Sequence, residues 1–111
     1  YQLGRINEAK AELDKVAGLA GDDLTIHRNL AAVYRQIGLN EEALREYQRC
    51  VELAPNDFNT HKDLALIYQQ LGRLDEALAE AQIARDLAPE DQKPALEAFI
   101  EQLQQQSHQG K

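Results

Sequence analysis

The sequence predicts an all-α chain built from antiparallel helix hairpins that recur every 34 residues. Three observations lead there: a clear self-match at that period, a core composition dominated by strong helix formers, and punctuating Gly and Pro residues at the same place in each unit. Sliding the 111-residue chain against itself superposes Gly4, Gly38 and Gly72, then Ala9, Ala43 and Ala77, then Asp23, Asp57 and Asp91. Two full units, 24–57 and 58–91, also share His27/His61, Leu30/Leu64, Ala31/Ala65, Tyr34/Tyr68, Leu53/Leu87 and Pro55/Pro89. Aromatic residues make up only 5% and Trp is absent, so the core must come mainly from Ala and Leu, both strong helix formers.

Each full unit reads as two helices. The first spans about 24–37, with Ile26, Leu30, Val33, Tyr34 and Ile37 at helical spacing on one stripe. Gly38 then stops it, because glycine takes the left-handed backbone at little cost. The second spans about 41–54, with Ala43, Leu44, Tyr47, Cys50, Val51 and Leu53 inward, and Pro55 ends it. Asp23, Asp57 and Asp91 are placed to cap the first helices, and Asn7, Asn40 and Asp75 the second ones. Ala9, Ala31, Ala43, Ala65 and Ala77 mark points where two helices cross closely. A hairpin of this kind cannot bury its apolar face alone and must stack on copies of itself.

Aligned on Gly4, residues 1–23 form a partial first repeat. Its only complete helix is the second, 7–20, with Ala9, Leu13, Val16 and Leu19 inward and its partner helix upstream of Tyr1. After Asp91 one more helix, 92–106, carries Pro94 in its first turn and the apolar set Leu96, Phe99, Ile100 and Leu103. Phe99 stands where the repeat demands Ala, so this is read as a C-terminal capping helix, with 107–111 as a frayed tail.

The motif His27-x2-Leu30-Ala31-x2-Tyr34 and its copy His61-x2-Leu64-Ala65-x2-Tyr68 carry a family resemblance. They are followed by Ala43-x3-Tyr47 with Pro55, and by Ala77-x3-Ala81 with Pro89. These residues resemble the tetratricopeptide repeat, a 34-residue unit with Trp-x2-Leu-Gly-x2-Tyr, Ala-x3-Phe and Pro. The resemblance covers roughly residues 1–91. It implies a right-handed α-solenoid of about 2.5 repeats plus the capping helix.

The whole-chain charge is −7. Nucleic-acid binding normally needs a basic face that releases counterions, so nucleic acid is not an expected partner. The apolar runs, such as 64–68, fall far short of the roughly 20 residues that span a bilayer. No direct membrane insertion is expected in this segment, and the cytoplasm is the default setting. Cys50 is the single cysteine and can form no internal disulfide. It reads as a small buried hydrophobe.

No nucleophile sits beside a base and no Gly-rich phosphate loop is present, so the chain is not expected to be an enzyme or to need a cofactor. The acid pairs Glu41/Glu42 and Asp75/Glu76 fall in first turns of helices, where negative charge complements the dipole. His27 and His61 lie one repeat apart with no third ligand in view, which points to packing rather than to metal.

The function expected is a scaffold that holds a peptide segment of a protein partner. The second helices are each net acidic, whereas the first helices are net basic or neutral. In the family resembled, first helices line a concave groove. The groove positions carried over are Thr25, Arg28, Ala32, Arg35 and Gln36, then Asn59, Lys62, Leu66, Gln69 and Gln70. They hold three cations and no acid, which suits an acidic or carboxylate-terminated peptide. One family specialisation clamps a terminal carboxylate with a Lys and two Asn. Here Arg28 takes the basic position but Ala32 and Asp63 replace the Asn residues, so the chain departs from that clamp. The alternative function is self-association into a homo-oligomer, through the uncovered 7–20 helix or the apolar stripe of the last helix.

Overall fold

The computed structural model describes residues 2–109. Among them every regular element is a helix: α1 (Gln2–Leu19), α2 (Leu24–Gln36), α3 (Asn40–Leu53), α4 (Phe58–Gln70), α5 (Leu74–Leu87) and α6 (Lys93–Gln109). They fall into two compact units, Tyr1–Leu53 and Ala54–Lys111.

The first unit holds α1, α2 and α3. Asp23 is extended and its carboxylate accepts the Ile26 N–H at 3.2 Å, satisfying a donor that the first turn of α2 leaves open. At the other end Gly38 takes φ +87°, and the Leu39 N–H closes onto the Tyr34 carbonyl at 2.8 Å. That six-residue closure needs a left-handed residue at its corner, which is why the repeat keeps glycine there. The α2–α3 hairpin buries Leu30, Ala31 and Tyr34 from one helix and Ala43, Leu44, Tyr47 and Cys50 from the other. Ala31 and Ala43 have no exposed surface, as the close crossing requires.

The second unit repeats this with α4 and α5 and adds α6. Asp57 accepts the Asn59 N–H at 3.0 Å, and Gly72 at φ +78° closes Arg73 N–H onto the Tyr68 carbonyl at 2.8 Å. Thr60, Leu64, Ala65, Ile67 and Tyr68 are buried on α4, and Ala77, Ala81 and Ala84 on α5. α6 packs against α5 and is tied down at two points. The Lys93 ammonium donates to the Arg85 carbonyl at 2.7 Å, a cation at the carbonyl-rich end of α5. The Gln69 amide donates to Gln106 at 2.7 Å.

Several sequence expectations are corrected. Gly4 lies inside the continuous helix α1 and ends nothing, so Gln2 and Leu3 belong to the same helix as 7–19. On α1 Leu13 is half-buried, but Val16 is exposed and Leu19 is 88% exposed, and Ala20 is the residue that goes in. Val33 on α2 is 38% exposed.

The second helices are not capped as expected. Asn7 is internal to α1 and Asn40 is already the first residue of α3. α5 starts from Arg73 with no side-chain cap, leaving Asp75 in its first turn. α6 begins at Lys93, two residues beyond Asp91, and stays helical through Ser107, His108 and Gln109. The last two residues of the expected tail, like Tyr1, lie outside the described residues.

The stripe on α6 is not a patch either. Leu96, Ile100 and Leu103 are 3%, 5% and 0% exposed, so the helix has turned to put them inside.

Candidate functional site

The ten groove positions divide between the two units. On α2, Thr25 and Gln36 are exposed, while Arg28, Ala32 and Arg35 are half-buried. On α4, Asn59, Lys62 and Gln70 are exposed and Leu66 and Gln69 half-buried. Gln69 is engaged with Gln106 on α6 and so helps seat that helix.

Lys62 and Leu66 are brought together with Leu96 and Phe99 of the α6 stripe, and with Phe58, Gln92 and Ala95, which the sequence did not single out, around a cleft of about 250 Å³. Its walls are Phe58, Lys62 and Leu66 from α4 and Gln92, Ala95, Leu96 and Phe99 from α6 and the residue before it. Phe58 also packs against the buried cluster of Ala84, Ala88 and Leu96, which fixes the floor. Small-molecule sites usually enclose roughly 300–1,000 Å³. This cleft is smaller, of a size to admit one apolar side chain, and Lys62 is the charged residue among those that line it.

Phe99 takes the place of the small residue at that position in the units before it (Ala31, Ala65), lies half-buried and lines the cleft. The only signal for this in the sequence was the aromatic at a position demanding Ala.

The two histidines are explained by their neighbours. His27 directs Nδ1 at the Glu46 carboxylate (2.6 Å) and Nε2 at the Gly21 carbonyl (2.7 Å). His61 directs Nδ1 at both Glu80 oxygens (3.3 Å each) and Nε2 at the Pro55 carbonyl (2.7 Å). Each ring thus bolts the loop before its hairpin to the second helix. Burial pulls the His27 pKa down, but the bonds to Glu46 and Gly21 and the Glu46 charge outweigh it, and the net direction is upward. Tyr34 donates its hydroxyl to Asp14 on α1 at 2.5 Å. Burial, then that bond, raises the phenol's pKa, while hydrogen bonds from Lys10 and Tyr34 hold the Asp14 carboxyl below its ordinary value. Cys50 is fully buried.

The fold and its repeated hairpins define an α-helical repeat protein of the solenoid class. Residues 33–72 match the family model described as TPR repeat, and residues 63–91 match that described as Tetratricopeptide repeat. Together these matches cover more than half of the chain, which belongs to the tetratricopeptide-repeat family. No curated protein sequence gives a significant match.

Among solved structures, PcrH of Pseudomonas aeruginosa, in complex with the chaperone binding region of PopD, is 26% identical with a TM-score of 0.76. The alignment covers 96% of this chain and 84% of PcrH. SycD, the type III secretion translocator chaperone of Yersinia enterocolitica, shares the fold at 18% identity and TM-score 0.76, over 97% of this chain and 78% of SycD. MamA shares it at 22% identity and TM-score 0.76, over 96% of this chain and 60% of MamA.

Proposed function

We propose that this chain is a protein-interaction scaffold that holds a peptide segment of a partner on its first-helix faces. The α4–α6 cleft takes one apolar side chain, and Lys62 pairs with an acidic residue or terminal carboxylate beside it. The observation that carries the reading is the cleft itself: four large apolar side chains around a space of side-chain size, with the exposed Lys62 also lining it. PcrH, crystallised with a segment of PopD, supports the peptide mode. Arg28 and Arg35, half-buried on α2, supply a second basic face with Ala32 between them.

Magnitudes say which contact dominates. Burying a Leu- or Phe-sized anchor contributes about 1.5–3 kcal/mol, whereas an exposed ion pair contributes about 0.2–1 kcal/mol. Affinity therefore comes mainly from the anchor, and Lys62 selects the residue next to it. The test is fluorescence anisotropy with short peptides carrying Leu or Phe next to Glu. L66E should weaken binding by about tenfold or more and K62E by only a few-fold, at about 1.4 kcal/mol per factor of ten. Binding unaffected by L66E would refute the cleft.

Self-association keeps one observation in its favour, the exposed Val16 and Leu19 on α1. The α6 stripe no longer supports it, since those residues are inside. A molecular mass by light scattering that stays monomeric across a dilution series removes the alternative.

A further inference from the structure

The His27 ring stands between two groups that can only accept a hydrogen bond from it: the Glu46 carboxylate on one side and the Gly21 carbonyl on the other. A neutral imidazole has one N–H and one lone pair. Whichever tautomer it adopts, one of its nitrogens then points a lone pair at an acceptor 2.6 or 2.7 Å away. Only the doubly protonated ring satisfies both. His27 is 5% exposed, so water cannot readily step in for the missing donor.

We propose that His27 is a proton-operated clasp, which in its charged form ties the loop before α2 to α3 and lets go as the ring loses its proton. It joins Gly21 in the α1–α2 loop and His27 in the first turn of α2 to Glu46 in the middle of α3, nineteen residues after the histidine.

The charged groups around the ring favour the protonated form. From α3, Glu46 attracts it and Arg49 opposes it. Arg49 is itself held by Asp22 of the loop and by Glu52, which spends much of its charge elsewhere. From α1, the Lys10–Asp14 pair turns to Tyr34 and Glu42 instead of the ring.

The direction of the pH effect follows. A histidine that binds its proton more tightly when folded adds stability that is complete below its unfolded pKa of about 6.5. That stability is lost as pH rises through the folded value. Between the two values the folded-to-unfolded ratio changes by up to about tenfold per pH unit, the slope for one proton. The first unit is therefore tightest in mildly acidic solution and loosens toward alkaline pH.

The test uses the whole chain. NMR titration of the His27 ring nitrogens should show both protonated at pH 6.5, with a midpoint above the ordinary 6.5. In E46Q the amide can donate to a neutral Nδ1, so the variant keeps the bond without the proton. Its His27 midpoint should fall, and the loss of stability from pH 6.5 to 8.5 should shrink relative to wild type. A wild-type midpoint at or below 6.5, with a single ring N–H at neutral pH, overturns the clasp. So does an unchanged midpoint in E46Q. Should E46Q fail to fold, the wild-type titration decides alone.

Discussion

Replacing Ala65 by Leu puts the close packing of a hairpin to a direct test. Ala65 lies mid-way along α4 with no exposed surface, and Ala77, Ala81 and Ala84 on the partner helix α5 have none either. Both helices thus present methyl groups where a bulkier pair would hold their axes apart. Leu adds three carbons in a place with no room for them. Overpacking a filled core costs about 1–3 kcal/mol, and three added carbons with small residues on the facing helix put this substitution toward the upper end. That corresponds to a roughly 30- to 150-fold fall in the folded-to-unfolded ratio. The control is Ala79→Leu on the exposed side of α5, which should change stability by less than about 0.5 kcal/mol. Urea unfolding followed by helical circular dichroism reads both. The A65L midpoint should fall well below that of wild type with an unchanged slope. If A65L and A79L unfold at the same urea concentration, the crossing is not close-packed.

Tyr34→Phe removes the donor to Asp14 and should cost about 1 kcal/mol, the usual net worth of one hydrogen bond. The same change should raise the Asp14 pKa, read by NMR of the carboxyl carbon. Because that carboxyl is held low in the folded chain, its contribution is present above the ordinary carboxylate range and lost as pH falls through the folded value. Asp57→Ala deletes the cap on α4 and should cost about 1 kcal/mol by thermal unfolding. Leu103→Ala, at a fully buried position on α6, should cost about 2–5 kcal/mol, with amide exchange in α6 accelerating most. A protected α6 in L103A would show that this helix is held by something other than its buried stripe.

The repeat was readable because the same physical needs recur at one spacing. Gly38 and Gly72 are where the chain must turn left-handed, Asp23 and Asp57 are where α2 and α4 leave amides open, and Ala31, Ala43, Ala65 and Ala77 are where helices meet. Gly4 shows the limit of that logic. A glycine ends a helix only when the chain around it closes back, and inside a helix it costs merely about 1 kcal/mol, so α1 runs through it. The cleft was half legible. Lys62 and Leu66 followed from the repeat, but Phe58, Ala95 and Phe99 did not, because the repeat template says nothing of how a final helix turns. Leu96, Ile100 and Leu103 are buried, and Ala95 and Phe99 line the cleft beside Leu96. The histidine bolts did leave a trace in the sequence. Glu46 and Glu80 recur at the repeat spacing, each nineteen residues after its His, a pairing that the position's usual Trp conceals.

Selectivity in the cleft turns on Lys62 reading a charge beside a seated apolar side chain. The decisive measurement is a charge-swap cycle: wild type and K62E, each titrated with two peptides identical except for Glu or Lys beside the Leu or Phe anchor. Wild type should prefer the Glu peptide and K62E the Lys peptide, with both preferences lost when Leu66 is changed to Glu. Equal affinity of both peptides for wild type and for K62E would show that Lys62 does not read the neighbouring charge.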